Sequence, residues 1–366
     1  MAGPSITDHE INKVSQMMKD GWDSYQYVEE FEERFAKYNG RKYCLMTPCC
    51  THAIHLALLG LDIKKGDEII APECTWTGSV APITYLNANP VFADISKENW
   101  CLDPSSILKN ITQKTKGIIC VNLYGKMPIY EEILDICSKN NLFLIEDAAE
   151  SLGSTYKGRI SGSFGTFSVH SFHRTKTLTT GEGGALLTDD LKLYERCKFL
   201  RDHGRSAKIP YFTLEATPKY MPSNLIGALA CAQLDRIEEL VNLKRNIRDS
   251  YIENLGQIRD EISIIEDNLV HTNGCWATTL VVNRDKFESK EAINFFNSKG
   301  LPLRPFFYPL TSMPGYEKYA KIGPEFDNKN SKYLASKGIT LPSHYNINKE
   351  QIEIISSNLI DFIKTN

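Results

Sequence analysis

Over roughly the first 200 residues, short apolar runs rich in β-branched side chains alternate with stretches whose apolar positions recur at helical spacing. The runs 67–72, 90–94, 117–121 and 142–146 are each bounded by Gly, Pro, Asn or Asp, which predicts strands. Between them, 51–61 and 130–140 read as helices. The segment 165–172 alternates as a strand does, and 185–188 re-enters a strand after a glycine-rich turn. Such alternation predicts an α/β fold with a parallel sheet covered on both faces.

From Ser223 the pattern changes. One long helical run is expected over 225–255, with apolar positions at Leu229, Leu234, Ile237 and Val241. A strand at 276–282 and helices at 289–299 and 349–363 follow. This predicts a large domain, residues 1–235, joined through the long helix to a smaller α+β C-terminal domain, residues 236–366.

Composition narrows the class. The length of 366 residues suits about two domains. With 42 Lys and Arg against 45 Asp and Glu, the net charge of −3 gives no support for nucleic acid or an anionic membrane as partner. No apolar run approaches the ~18 residues a membrane helix needs. The amino-terminal residues carry Asp8, Glu10 and Asn12 and no basic-then-apolar leader. The 10 cysteines are scattered without repeated CxxC spacing, which reads as reduced thiols in a cytoplasmic protein. No set of residues has metal-ligand spacing: His52 and His55 lack a third ligand, and His203 before Gly204 reads as a helix-end cation.

In open α/β sheets, ligands bind beyond the carboxyl ends of the strands. The polar residues there are Thr75, Trp76, Asn122, Tyr124, Glu146, Asp147 and the stretch from Ser171 to Lys176. Asp147 ends an apolar run; alone it reads equally as a helix cap or as the counter-ion of a protonated ring nitrogen. Lys176, taken alone, is more often a surface lysine. Together, an acid after one strand and a lysine after a later one match the needs of pyridoxal phosphate. Its aldehyde condenses with a lysine amine, and its ring nitrogen stays protonated beside an acid. The helix opening at 47–51 offers free N–H groups for a phosphate, Ser171 a hydroxyl, and Trp76 a flat surface for the ring.

At these residues the chain resembles the DegT/DnrJ/EryC1/StrS family of sugar aminotransferases, within the fold type I pyridoxal phosphate enzymes. The resemblance runs from about Trp22 to Tyr316 and is strongest at 145–153 and 171–184, with Gly204, Ser223-Asn224 and 304–309 in the same pattern. It implies a mixed, mostly parallel sheet in the large domain and a homodimer with shared active sites. It also implies that Lys176 is the catalytic lysine and carries the cofactor. Asp147 pairs with the ring nitrogen, Glu150 lies near the ring hydroxyl, Trp76 stacks, and Asn224 belongs to the cofactor site. Ser171 and the amides of Cys50 and Thr51 take the phosphate. Arg304 and Tyr308 fall to the substrate. The implied reaction takes an amino group, from glutamate, to C4 of a nucleotide-linked 4-keto-6-deoxyhexose in surface-polysaccharide (lipopolysaccharide) biosynthesis, as in the perosamine synthase-like members. An octulosonate or a small phosphorylated ketone is the alternative acceptor.

Three positions depart from the family pattern. Cys50 stands where glycine is common, which is tolerable if only its amide is used. Met221 replaces an Arg or Asn that reaches the partner's phosphate, and it cannot donate that bond. Lys126 replaces a common His after Tyr124-Gly125. A sugar dehydratase of the same fold would carry histidine in place of Lys176, and His173 lies three residues too early. A regulator that binds the cofactor without turnover would need an appended DNA-binding module. A nicotinamide enzyme would need GxGxxG after its first strand, and none is present.

Overall fold

The structure is a computed structural model and describes residues 3–325 and 327–365. Seven strands form the large sheet: β1 (Tyr43–Thr47), β2 (Glu68–Pro72), β3 (Asn89–Ala93), β4 (Thr115–Val121), β5 (Phe143–Asp147), β6 (Phe167–Ser171) and β7 (Gly184–Thr188). Their order is β1-β7-β6-β5-β4-β2-β3. Neighbours from β3 through β6 pair parallel, while β7 runs antiparallel to both β6 and β1. The sheet is therefore mixed and mostly parallel.

Successive strand residues face opposite sides, and both sides are covered. Leu45, Ile69, Ile145, Phe167 and Leu186 pack with the helix Cys50–Gly60 on one face. On the other, Ile70, Ile118 and Leu144 meet the helix Tyr130–Asn140. Cys44, Met46 and Leu187 meet Phe31 and Phe35 of the helix Gln26–Tyr38. All 10 cysteines are free thiols.

The helical run expected over 225–255 is two helices, Asn224–Asp235 and Ile237–Asn254. Arg236 leaves helical geometry (φ −107°, ψ 14°). Its guanidinium holds Glu10 at 2.7 Å and Glu239 at 2.8 Å, tying the break to the amino-terminal helix Asp8–Asp20. The strand expected from 276 begins at Thr279, because Cys275 is left-handed (φ 59°) and turns Trp276 out of the strand line.

A second, antiparallel sheet joins Ile262–Ile264, Thr279–Val282, Gly338–Thr340 and Arg304–Pro305, in that order. Its core contains Leu280, Phe296, Ile339 and Leu359. After Arg304 the chain crosses back to the large sheet. The Cys74 thiol meets the Phe307 carbonyl at 3.4 Å, Leu310 N–H donates to the Glu73 carbonyl at 2.8 Å, and Tyr316 joins the core against Phe92. This crossing lays 307–310 against the loop that follows β2.

Candidate active site

Register places Asp147 level with Val121 on β4 and Val169 on β6, so the carboxyl ends of β4 and β5 align and β6 runs two residues further, to Ser171. Asp147 is 2% exposed. Its Oδ2 accepts the Ser79 hydroxyl at 2.7 Å and its Oδ1 the Ala149 N–H at 3.0 Å. Burial raises its pKa; those two hydrogen bonds and the charge of Lys176 pull the other way. A buried carboxylate that faces a lysine and accepts only neutral donors retains capacity for a cationic one.

Lys176 lies in the turn after β6. Its Nζ is 3.2 Å from Glu150 Oε1 and 3.8 Å above the Trp276 ring centroid. Glu150, also buried, takes the Tyr124 N–H at 3.0 Å on its other oxygen. Burial raises the pKa of Glu150, and Lys176 opposes this. Tyr124 sits at φ 52°. Its ring lies parallel to those of Trp276 (6.2 Å, 8°) and Phe307 (5.3 Å, 11°), so an aromatic wall backs the lysine.

The amino terminus of the helix Cys50–Gly60 meets β7 at Gly184, where an added Cβ would fall 2.5 Å from the Cys50 nitrogen and 2.6 Å from the Cys49 carbonyl carbon. Only glycine allows this approach. Gly184→Ala is therefore expected to push the helix start away. Urea unfolding should show a loss of about 1–3 kcal/mol, and titration should show weaker cofactor binding. An unchanged midpoint would contradict the contact. Opposite, a Cβ at Gly78 would meet Thr51 Oγ1 at 2.9 Å and Trp76 Cδ1 at 3.0 Å. Thr51, Gly78 and Trp76 thus line one cradle. Cys50 directs its thiol to Asp147 Oδ1 (4.0 Å), and burial sets that thiol well above its ordinary pKa. Ser171 Oγ accepts the His173 N–H at 3.3 Å.

These side chains fit pyridoxal phosphate by their chemistry: a part-buried amine, a buried acid for the ring nitrogen, an exposed indole (Trp76, 63% exposed) and a glycine-bounded helix amino terminus. Arg304 is half-buried; desolvation lowers its pKa, Tyr124 raises it, and Arg174 lowers it further. Tyr308 is exposed.

Asn224 is engaged elsewhere. Its Oδ1 accepts the Tyr27 N–H at 2.9 Å and its Nδ2 donates to the Gly21 carbonyl at 2.7 Å, so it caps the helix Gln26–Tyr38. Met221 packs against the core beside that helix. Lys126 donates to the Glu98 carbonyl at 2.9 Å and lies 4.0 Å over the Trp100 ring; burial lowers its pKa to about 8. It lines a separate cleft of about 560 Å³ with Arg259, Glu266 and His271. Ser79 and Trp276 are groups of the candidate site that strand-end reasoning does not reach; Tyr124, which it does reach, contributes its amide. Ser79 lies in the polar run after β2, but Trp276 has no local signal at all.

Residues 4–359 match the model of the DegT/DnrJ/EryC1/StrS aminotransferase family. The chain is similar to a GDP-perosamine synthase of Escherichia coli O157:H7, with 36% identity over 362 residues, 98% of this chain and 97% of that one. A GDP-perosamine synthase of Vibrio cholerae is 30% identical over 355 residues, 96% of this chain and 95% of that one. Among solved structures, a Streptococcus pneumoniae protein described as a sugar aminotransferase, in its PLP-form, superposes with a TM-score of 0.92 at 25% identity, covering 100% of this chain and 98% of that one.

Proposed function

The chain belongs to the DegT/DnrJ/EryC1/StrS aminotransferase family and is a pyridoxal-phosphate-dependent sugar aminotransferase; from this we propose that it moves an amino group from glutamate to C4 of a guanosine-diphosphate-linked 4-keto-6-deoxyhexose. The observation that carries the reading is the convergence of Lys176 with the buried carboxylates of Asp147 and Glu150, inside a chain 36% identical to a GDP-perosamine synthase. No helix among the described residues is long and apolar enough to cross a membrane. In this reading the reaction runs in the cytoplasm, where nucleotide sugars are made.

Pyridoxal phosphate, when bound, supplies an aldehyde that takes up the amine and a ring that withdraws electrons from the neighbouring carbon. Lys176 Nζ holds the cofactor between turnovers and, when released, carries the proton as general acid and base. Asp147 keeps the ring nitrogen protonated. Ser171 and the amides of Cys50 and Thr51 hold the phosphate, Trp76 covers the ring, and Glu150 orients the lysine amine. Arg304 and Tyr308 meet the acceptor at the mouth. Residues 1–235 form the cofactor domain and 236–366 the smaller one, except that the crossing segment 310–319 packs into the core of the large sheet. The partners are glutamate, the keto sugar and a second copy of this chain. The homodimer rests on the exposed apolar arm of Ile209, Tyr211, Phe212 and Leu214, a surface that monomers seldom leave bare.

The test incubates the purified protein with glutamate and, in turn, 4-keto-6-deoxyhexoses carrying guanosine or thymidine diphosphate, a keto-octulosonate and a small phosphorylated ketone, with mass spectrometry for the aminated product. Borohydride trapping and peptide mapping then locate the pyridoxyl group, and sedimentation gives the mass. The expected result is amination of the guanosine-linked sugar, a pyridoxyl adduct on Lys176 and a dimer. Amination of an octulosonate or a small phosphorylated ketone alone would replace the acceptor and keep the enzyme class.

A further inference from the structure

Lys176 emerges from the large domain, yet groups of the smaller one hold the peptide on both sides of it. The Trp276 indole N–H donates to the Thr175 carbonyl at 2.7 Å, and the Tyr345 hydroxyl donates to the Thr177 carbonyl at 2.8 Å. The Lys176 N–H itself donates to the His173 carbonyl at 2.8 Å. Two peptide units of the turn, 175–176 and 177–178, are thus held by side chains 101 and 168 residues away, and the first is held a second time through the Lys176 N–H.

The same indole that holds Thr175 lies under the ammonium of Lys176, 3.8 Å from Nζ to the ring centroid. Its plane is set by the parallel Tyr124 ring, and the Tyr124 amide holds Glu150, which in turn meets Nζ. Lys176, Glu150, Tyr124 and Trp276 therefore close a ring of contacts. Tyr345 is fixed in its own right. The buried Lys244 lies 4.3 Å over its ring and donates to the neighbouring Ser343 carbonyl, while the Ser343 hydroxyl accepts the Thr278 N–H at 2.9 Å.

A lysine that carries a cofactor covalently and then transfers a proton must leave its bond and return to it in each cycle. Its stem can swing; its backbone and its free amine must not drift, because a misplacement of about 1 Å costs on the order of 10²-fold in rate. We propose that Trp276 and Tyr345 are positioning residues for Lys176: their two hydrogen bonds clamp the turn that bears it, and the Trp276 ring is the shelf on which its ammonium rests when uncoupled. This rests on Lys176 being the cofactor-bearing lysine. It extends that reading by making the smaller domain part of the catalytic lysine's mounting.

The experiment compares Trp276→Phe, Trp276→Leu and Tyr345→Phe with the unaltered protein. Four quantities are read: hydrogen exchange of the 173–177 amides without cofactor, the rate of loading with free pyridoxal phosphate, the visible circular dichroism of the loaded cofactor, and kcat against KM. Tyr345→Phe and Trp276→Phe each remove one hydrogen bond and keep the ring, so exchange at 173–177 should quicken. Loading and kcat should fall about tenfold, with KM within about twofold. Trp276→Leu also removes the shelf. It should lower loading and kcat by roughly 100-fold and change the dichroism of the cofactor band, which Trp276→Phe leaves in place. If Trp276→Leu does not accumulate, the two Phe variants decide. Loading, kcat and exchange within twofold of the unaltered protein, with only the melting temperature lowered, would overturn the clamp and the shelf. The two failures separate cleanly: a pyridoxyl adduct away from Lys176 sinks the lysine assignment, whereas an adduct on Lys176 with indifferent variants sinks only this proposal.

Discussion

Lys176→Ala is expected to yield a folded protein that does not transaminate, with turnover reduced by at least about 10⁴-fold. The fold survives because Nζ makes two contacts at the cleft surface, the Glu150 oxygen and the Trp276 ring, and neither holds a strand or helix together. The loss has a stability signature of its own. Burial raises the carboxyl pKa of both Glu150 and Asp147, and Lys176 opposes that rise at each. Without the cation both move further up. A buried acid with a raised folded pKa binds more protons folded than unfolded, so stability falls as pH climbs from the unfolded value through the folded one. The deficit of Lys176→Ala against the unaltered protein, both without cofactor, should therefore be smallest below the ordinary carboxylate range and grow as pH rises above it, to about 2 kcal/mol at alkaline pH. Thermal melting across that range, beside an amination assay, checks both halves. Substantial turnover with an ordinary cofactor spectrum, or a deficit that shrinks with pH, would remove Lys176 from its assigned place.

How far the sequence carries this picture depends on the distance over which each residue acts. The placing of Asp147 and Lys176 at one sheet edge is legible because each closes or follows a strand, and the α/β rule assigns ligands to that edge. The strands and the helix Tyr130–Asn140 are legible because period and punctuation are local. Arg236 is not: one residue leaving the helix between two apolar stripes does not interrupt the period, and its cause, Glu10, lies 226 positions away. Trp276 reads as the start of a strand because its neighbours are strand-like, and only the left-handed Cys275 turns it toward Lys176. Asn224 shows the complementary case. Its neighbourhood marks it for the cofactor, while its amide is spent holding the helix Gln26–Tyr38 to its own. A sequence motif reports where a residue stands in the chain; it does not report which backbone groups its side chain must satisfy.

Asp147→Asn separates charge from shape in the same cleft. The amide occupies the space of the carboxylate, its oxygen can keep the Ala149 N–H, and its NH₂ group can donate to Ser79 Oγ, which then turns its own hydrogen toward Thr75 (Oγ–Oγ 3.2 Å). The hydrogen-bond count is conserved and the buried negative charge is gone. Because burial dominates the raised pKa of Asp147, the unaltered protein without cofactor gives up stability as pH rises through that value. The asparagine variant has no such titration. Its stability relative to the unaltered protein should improve from pH 4 to pH 7, reaching parity or a gain of about 1 kcal/mol in the cofactor-free state. Function should move the opposite way. An amide cannot hold a proton on the ring nitrogen, so cofactor binding should weaken and kcat should fall on the order of 10³-fold, with the pyridoxyl adduct still trapped on Lys176. A fold as stable as the original and an enzyme nearly inactive would place the role of Asp147 in its charge. An unchanged kcat would mean that the acid only caps the turn at Ala149, and the counter-ion would have to be sought elsewhere.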